Sequence, residues 1–316
     1  MMPKTLMCDP KLLKKDLSSR VYIVTGANSG SGFATVKQLA EQGATVVGAC
    51  RRVNAGKEAF ADVGNLKGSV DIMELDLASL SSVRRFVGAF LAKYNRLDGL
   101  VNNAGLAFVQ SKTEDGFDTQ FGVNHLGHFL LTELLLDTLK ASAPSRIVNV
   151  SSVAHAGMQG VYGEIDFDDL HFDHKEFNPT QAYANSKFAN VLYTVNLAQR
   201  LEGTSVSAFS VHPGWIRSNL APAGPIRFLQ NVVLRPFASM FGTMNWFEGA
   251  QTSLHCLLDD DAPHHSGAYY SQNSILYPNK ENRPGGWPMK SPHPQGEDTE
   301  LAAKLTEVSM ALVGLK

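Results

Sequence analysis

A glycine-rich turn between a short apolar run and an amphipathic segment constrains this chain more than any other stretch. Val21-Tyr-Ile-Val24 has the pattern of a buried strand, and Thr25-Gly-Ala-Asn-Ser-Gly-Ser-Gly32 follows it. Phe33 to Gln42 then reads as a helix that ends at Gly43. Gly26, Gly30 and Gly32 let the backbone turn tightly and approach a pyrophosphate, with Asn28 and Ser29 inside the same turn. The helix start behind them offers N–H groups and the positive end of a dipole to an anion. In this strand–turn–helix setting the pattern points to a dinucleotide; a tight turn needing left-handed backbone for its own closure is the alternative.

Alternation of strand and helix continues along the chain. Strand patterns recur at Ala44–Ala49, Val70–Leu75, Leu97–Val101, Arg146–Val150, Val206–Val211 and Gly267–Tyr270, with helical stretches between them. Ser79 is placed to cap the helix that runs to about Tyr94. This spacing predicts an α/β fold: one Rossmann-like, doubly wound parallel sheet of about seven strands with helices on both faces. The expected organisation is a lead-in over 1–19, a single domain over 20–275, and a tail and helix over 276–316 packed on that domain. Residues 219–247 include Leu220, Phe228, Phe237, Trp246 and Phe247 and read as an apolar substrate lid. The proline-rich stretch 278–297 reads as loop.

Composition narrows the partners. The 316 residues are 44% hydrophobic, enough for a full core, and the formal net charge of −2 gives no sign of nucleic acid or an anionic membrane. Three cysteines, Cys8, Cys50 and Cys256, supply no disulfide framework and suit a reducing compartment. The lead-in has no apolar run long enough for a signal peptide or a membrane span. The expectation is a cytoplasmic location, with organelle import as the alternative.

Two stretches carry chemistry. The second strand ends in Cys50-Arg51-Arg52, where an NAD-binding chain of this layout usually has an acid to accept from the ribose 2′-OH. Two guanidiniums at that place suit a 2′-phosphate, which selects NADP(H) over NAD(H). Asp76 after the third strand is placed to accept from an adenine amino group, with Leu77 offering an N–H; a capping carboxylate is the other reading of Asp76. Further on, Tyr183 and Lys187 lie four residues apart in a helical stretch and so share a face. A fixed cation beside a phenol lowers its pKa from about 10 and makes it usable as a proton donor or acceptor.

Together these residues resemble the short-chain dehydrogenases/reductases. The motifs that carry the resemblance are TGANSGSG, Asp76-Leu77, Asn102-Asn103-Ala104-Gly105, Asn124 within VNHLGHF, Ser151-Ser152, Tyr183-x3-Lys187 and Pro213-Gly214. It covers about residues 20–275 and is strongest to the retinol-dehydrogenase-like branch, through ACRR, NHLGHF and the terminal EVSMALVGL. The resemblance implies that Tyr183 is the acid/base and that Lys187 lowers its pKa and binds the nicotinamide ribose. It implies that Ser152 holds the substrate oxygen and that Asn124 holds a water in a proton relay. Asn103, Ala104 and Gly105 would back the cofactor, and Pro213, Gly214 and Ile216 would border the nicotinamide.

The implied reaction is NADP(H)-dependent interconversion of a carbonyl and an alcohol on an apolar, retinoid-, steroid-, aromatic- or long-chain-like substrate. Light-dependent protochlorophyllide reductases are similar too, which makes a pigment or C=C reductase the alternative. A non-catalytic NADP(H)-binding regulator is a third reading, disfavoured by the intact Ser152, Tyr183 and Lys187. Trp215 stands where those light-dependent reductases usually carry cysteine. Ser31 replaces the usual apolar residue before the third glycine, with a slight change in packing expected. His155, His171 and His174 read as solvated loop histidines, and no metal is expected. A homodimer through the long helices is expected if the tail leaves them open.

Overall fold

The computed structural model of the chain describes residues 5–158, 160–216, 243–273 and 285–315. Eight strands form one sheet in the order β3-β2-β1-β4-β5-β6-β7-β8. They are β1 Val21–Thr25, β2 Thr45–Cys50, β3 Ser69–Glu74, β4 Gly99–Asn102, β5 Ser145–Val150, β6 Val206–His212, β7 Tyr269–Ser271 and β8 Gly286–Met289. All neighbouring pairs are parallel except β7 with β8. The strand order reverses beside β1, which opens a crevice above the carboxyl ends of β1 and β4.

The eighth strand corrects the expectation of about seven. It falls in the stretch read as loop, where Pro288 argues against a strand. β8 pairs only with β7, so it is an edge, and an edge position tolerates a residue with no N–H to donate.

Helices α1 (Gly30–Glu41), α2 (Val53–Phe60), α3 (Leu80–Lys93), the short α4 (Thr119–Phe121), α5 (Gly127–Ala141), α6 (Pro179–Arg200), α7 (Trp246–Leu258) and α8 (Thr299–Leu312) cover the sheet. Their starts are written in the sequence. Ser79 accepts from the Ser82 N–H, Asn178 from Thr180 and Gln181, and Asn245 with Glu248 completes a capping box on α7. Between α4 and α5 the chain makes a π-helical turn, Gly122–Leu126, which contains Asn124.

Two apolar layers result, one on each face. Phe86, Phe90, Leu126, Phe129, Leu130, Phe188 and Leu192 build one, and Ala302, Leu305 and Val313 from the C-terminal end join it. Val36, Leu39, Phe209, Leu254 and Tyr270 build the other, with Cys8, Leu12 and Leu17 of the lead-in buried among them. The lead-in is also tied by polar contacts: Cys8 N–H donates to Gln251 Oε1 at 3.2 Å, and Lys15 Nζ to the Leu258 carbonyl at 2.6 Å. α8 packs along α6, so the terminal helix covers that part of the long-helix face. The expected lid lies outside the described residues up to position 242. No helix among the described residues is long and apolar enough to cross a membrane.

Candidate active site

The expected site residues meet at the carboxyl ends of β1, β4 and β5, above the point where the strand order reverses. Thr25, at the end of β1, organises the turn beneath them. Its Oγ1 accepts from the N–H groups of Asn103 and Ala104, each at 2.9 Å. Both lone pairs are then used, so its own hydrogen goes to His128 Nε2 at 2.8 Å. Asn103 Nδ2 donates back to the Thr25 carbonyl at 2.8 Å.

Gly32 has no room for a side chain. A Cβ there would stand 2.5 Å from both Asn103 Nδ2 and the Gly26 carbonyl oxygen. Gly26 and Gly30 have φ of +69° and +62°, the left-handed region that glycine reaches freely. At Gly30 a Cβ would meet nothing within 4 Å, so the turn is open on that side. Ser29 makes no side-chain cap to α1, which leaves the helix start with N–H groups lacking a side-chain acceptor. An anionic diphosphate fits such a cradle. Ser31 does more than alter packing: its hydroxyl donates to Asn103 Oδ1 at 2.8 Å and ties the turn to the end of β4.

Tyr183 and Lys187 share one face of α6, as their spacing requires. Lys187 Nζ lies 5.9 Å from the centroid of the Tyr183 ring. The lysine is buried, and its ammonium donates to the Val150 carbonyl at 3.0 Å. A Cβ on Gly105 would be 3.4 Å from Lys187 Nζ and 3.3 Å from Asn124 Oδ1, so this glycine floors the same cleft. Ser152 caps the short turn after β5, its Oγ accepting from the Ala154 N–H at 3.2 Å. Its neighbour Ser151 turns the other way and donates to the Lys187 carbonyl at 2.7 Å.

Asn124 is fully buried and holds the loop after β4 with its side chain. Oδ1 accepts from the Leu106 N–H at 3.0 Å, and Nδ2 donates to the Leu106 carbonyl and to Ser186 Oγ, both at 3.0 Å. Its main-chain carbonyl accepts from Asn190 Nδ2 and His128 Nδ1, each at 3.1 Å.

Burial sets the protonation of the site. Desolvation raises the Tyr183 phenol above its ordinary value, while a hydrogen bond with Ser152 acts the other way. The Lys187 ammonium, 5.9 Å from the ring centroid, donates to the Val150 carbonyl. The lysine itself is pushed down to about 8 by burial. Histidine burial has larger consequences. His125 falls to about 4, and His128, His155 and His212 each to about 3, all by desolvation. His155 was expected in solvent and is instead fully buried; His171 packs against Phe117 and Phe121, and only His174 is exposed.

The unfolded chain takes up these imidazole protons near 6.5, the folded chain only near 3 to 4. Stability is therefore present above pH 6.5 and is lost as pH falls towards 4. Each of the four rings should cost about 1–2 kcal/mol between neutral pH and about pH 5. Urea unfolding at the two pH values measures this; equal midpoints would contradict four buried neutral rings.

Other expected residues lie around this centre. Arg51 and Arg52 are exposed at the end of β2, and among the described residues neither is in an ion pair. Asp76 Oδ1 accepts from the Ala78 N–H at 2.9 Å, so one carboxylate oxygen is a turn cap, and Leu77 is buried beside it. Gly214 has φ of +93°, and Ile216 forms a bridge with Met244.

Sequence reasoning missed Thr25, His125, His128, Ser186 and Asn190, whose side chains link these residues. NHLGHF was visible as a motif, but the direction of each hydrogen bond exists only in the folded chain. Phe108 was missed too. It is 45% exposed, has φ of +60° and lies 5.9 Å ring to ring from Tyr183. Its N–H donates to Gln120 Oε1 at 2.8 Å, which helps hold a backbone shape rare for a bulky residue.

Comparison with known proteins agrees with this geometry. Residues 20–165 match the family model described as short chain dehydrogenase. The chain is 41% identical over 303 residues to retinol dehydrogenase 12 of Homo sapiens, spanning 95% of this chain and 88% of that one. It is 40% identical over 308 residues to retinol dehydrogenase 13 of Homo sapiens, spanning 96% and 87%. An uncharacterized protein from Mycobacterium Paratuberculosis has a similar crystal structure, with TM-score 0.74 and 33% identity over 95% of both chains. The RhlG/NADP active-site complex of Pseudomonas aeruginosa gives TM-score 0.63 and 25% identity, over 84% of this chain and 98% of that one. With a matching dinucleotide turn, a Tyr–Lys pair on one helix face and about two-fifths identity along nearly its whole length, the chain belongs to the short-chain dehydrogenases/reductases, in their retinol-dehydrogenase-like branch.

Proposed function

We propose that this protein is an NADP(H)-dependent reductase of apolar carbonyls, with Tyr183 as the proton donor. The observation that carries the reading is the meeting of Ser152, Tyr183 and buried Lys187 at the carboxyl end of β5. The dinucleotide, when bound, supplies the hydride. The chain's own residues do the rest. Gly26, Gly30 and Gly32 with the start of α1 would hold the diphosphate, and Arg51 and Arg52 the 2′-phosphate. Lys187 would bind the nicotinamide ribose. Ser152 and Tyr183 direct hydroxyl hydrogens at the carbonyl oxygen, where negative charge grows in the transition state. Burial keeps the phenol protonated at neutral pH, which is the form that can give a proton to that oxygen.

Phe108 and the relatives' names support the substrate class. Phe108 is large, 45% exposed and 5.9 Å ring to ring from Tyr183, and so offers an apolar face beside the proton donor. It suits a flat apolar molecule of retinoid type, and the names of the similar retinol dehydrogenases support that choice. The NADP complex of the Pseudomonas aeruginosa neighbour supports the cofactor.

Loss of NADPH absorbance with retinal, steroid ketones, aromatic aldehydes and long-chain aldehydes tests the reading, with NADH in parallel. Turnover of an extended apolar carbonyl with NADPH is the expected result. No turnover across the panel by a chain that binds NADPH would reject it. On the preferred substrate, Phe108→Ala should raise KM about tenfold through lost ring contact, with little change on a short aldehyde. Equal effects on both would remove Phe108 from substrate contact.

A further inference from the structure

The C-terminal residues reach the cleft twice, each time through a buried histidine. The donors and acceptors along the first path fix its direction. Asn190 Nδ2 faces two carbonyls, those of Asn124 and Val150, each at 3.1 Å. Its Oδ1 must therefore be the atom that faces His125 Nδ1, at 3.3 Å. An amide oxygen only accepts, so His125 carries its proton on Nδ1. The ring is neutral, which leaves Nε2 as an acceptor. Ser309 Oγ on α8, 2.9 Å away, must then donate to it. The path ends at the Val150 carbonyl, the same oxygen that receives Lys187 Nζ at 3.0 Å. His125, Asn190 and Ser309 are all buried.

The second path has the same form. His155 Nδ1 lies 2.5 Å from the Ser152 carbonyl oxygen, so the proton is on Nδ1. Nε2 then accepts from Ser291 Oγ at 2.7 Å. Ser291 lies just past β8 and also receives the His293 N–H at 3.2 Å. His293 stacks on Phe188 of α6, with ring centroids 3.9 Å apart, which holds the tail segment against that helix.

We propose that residues 285–315 are a positioning element of the site: Ser309 fixes Lys187 through His125 and Asn190, and Ser291 fixes Ser152 through His155. The proposal rests on the hydride-transfer reading for the roles of Lys187 and Ser152. Neither serine touches the cleft, so both are positioning residues. The physical reason is that a neutral imidazole with one nitrogen occupied keeps its ring orientation only while the other nitrogen is bonded.

Two readouts test it on the full chain. Nitrogen resonances of the wild-type rings should show His125 and His155 protonated at Nδ1, with the Nε2 resonance of each moving on Ser309→Ala or Ser291→Ala. In steady state, each Ala variant should lower kcat about tenfold; Ser291→Ala should leave KM for NADPH within about twofold, and Ser309→Ala should raise it about fivefold through the ribose-binding Lys187. Ser291→Thr, which keeps the hydroxyl, should restore the rate. An Nε2-protonated tautomer in the wild type overturns the proposal, even where an Ala variant does not fold. So does wild-type kcat in a folded Ser291→Ala/Ser309→Ala chain. No carbonyl turnover by the wild type defeats the hydride-transfer reading itself, and the positioning proposal with it.

Discussion

Tyr183→Phe should lower kcat for carbonyl reduction by about a thousandfold and leave NADPH binding almost unchanged. The substitution removes one oxygen and keeps the ring. Phe108 can still pack against it, and the cation–ring distance of 5.9 Å to Lys187 does not depend on the hydroxyl. The backbone around it is held by other atoms: Ser186 Oγ donates to the Tyr183 carbonyl at 2.8 Å and receives Asn124 Nδ2. The fold and the dinucleotide cradle should therefore survive, and only the proton donor is lost. Serine at 152 would still polarise the carbonyl, so a small residual rate is expected. Single-turnover kinetics with a fluorescence titration of NADPH separates the two effects. Turnover close to wild type would take Tyr183 out of its assigned role.

Arg51→Ala/Arg52→Ala should weaken NADPH by at least about a hundredfold and NADH by no more than about threefold. Charge-assisted bonds to a phosphate are among the strong ones, and a guanidinium presents paired donors to it. Both side chains are exposed at the end of β2, and no carboxylate among the described residues competes for them. Arg52 also precedes α2, but it makes no side-chain cap, so truncation should not unravel that helix. Titration of each dinucleotide against both chains gives the ratio directly. Equal weakening of NADH and NADPH would dismiss the 2′-phosphate argument. Because the contact is exposed, the wild-type preference should also shrink as salt is raised.

Much of this protein was legible in its sequence because the signals are local. Strand and helix alternate with the period of their apolar residues, and Ser79 marks a helix start by chemistry that acts within three residues. The glycine turn is legible for the same reason: the backbone shape and close approach it needs exclude side chains at Gly26 and Gly32. The Tyr183–Lys187 pair is set by helical geometry alone. β8 was missed because a proline normally argues against a strand, and nothing local shows that Pro288 would lie on an edge.

What the tertiary structure alone decided concerns partners far apart in the chain. His155 reads as a loop residue, yet β5, β7 and the tail close around it and push its pKa to about 3. Lys187 has the spacing to share a site with Tyr183, but its ammonium is anchored by the Val150 carbonyl, 37 residues away. His125 meets Ser309 across 184 residues. The sequence by itself determined which elements form and which residues share a face, since those follow from backbone period and near-neighbour sterics. The protonation states, the tautomers and the reach of the C-terminal helix were decided only by packing, because desolvation and hydrogen-bond direction depend on every group that surrounds a side chain.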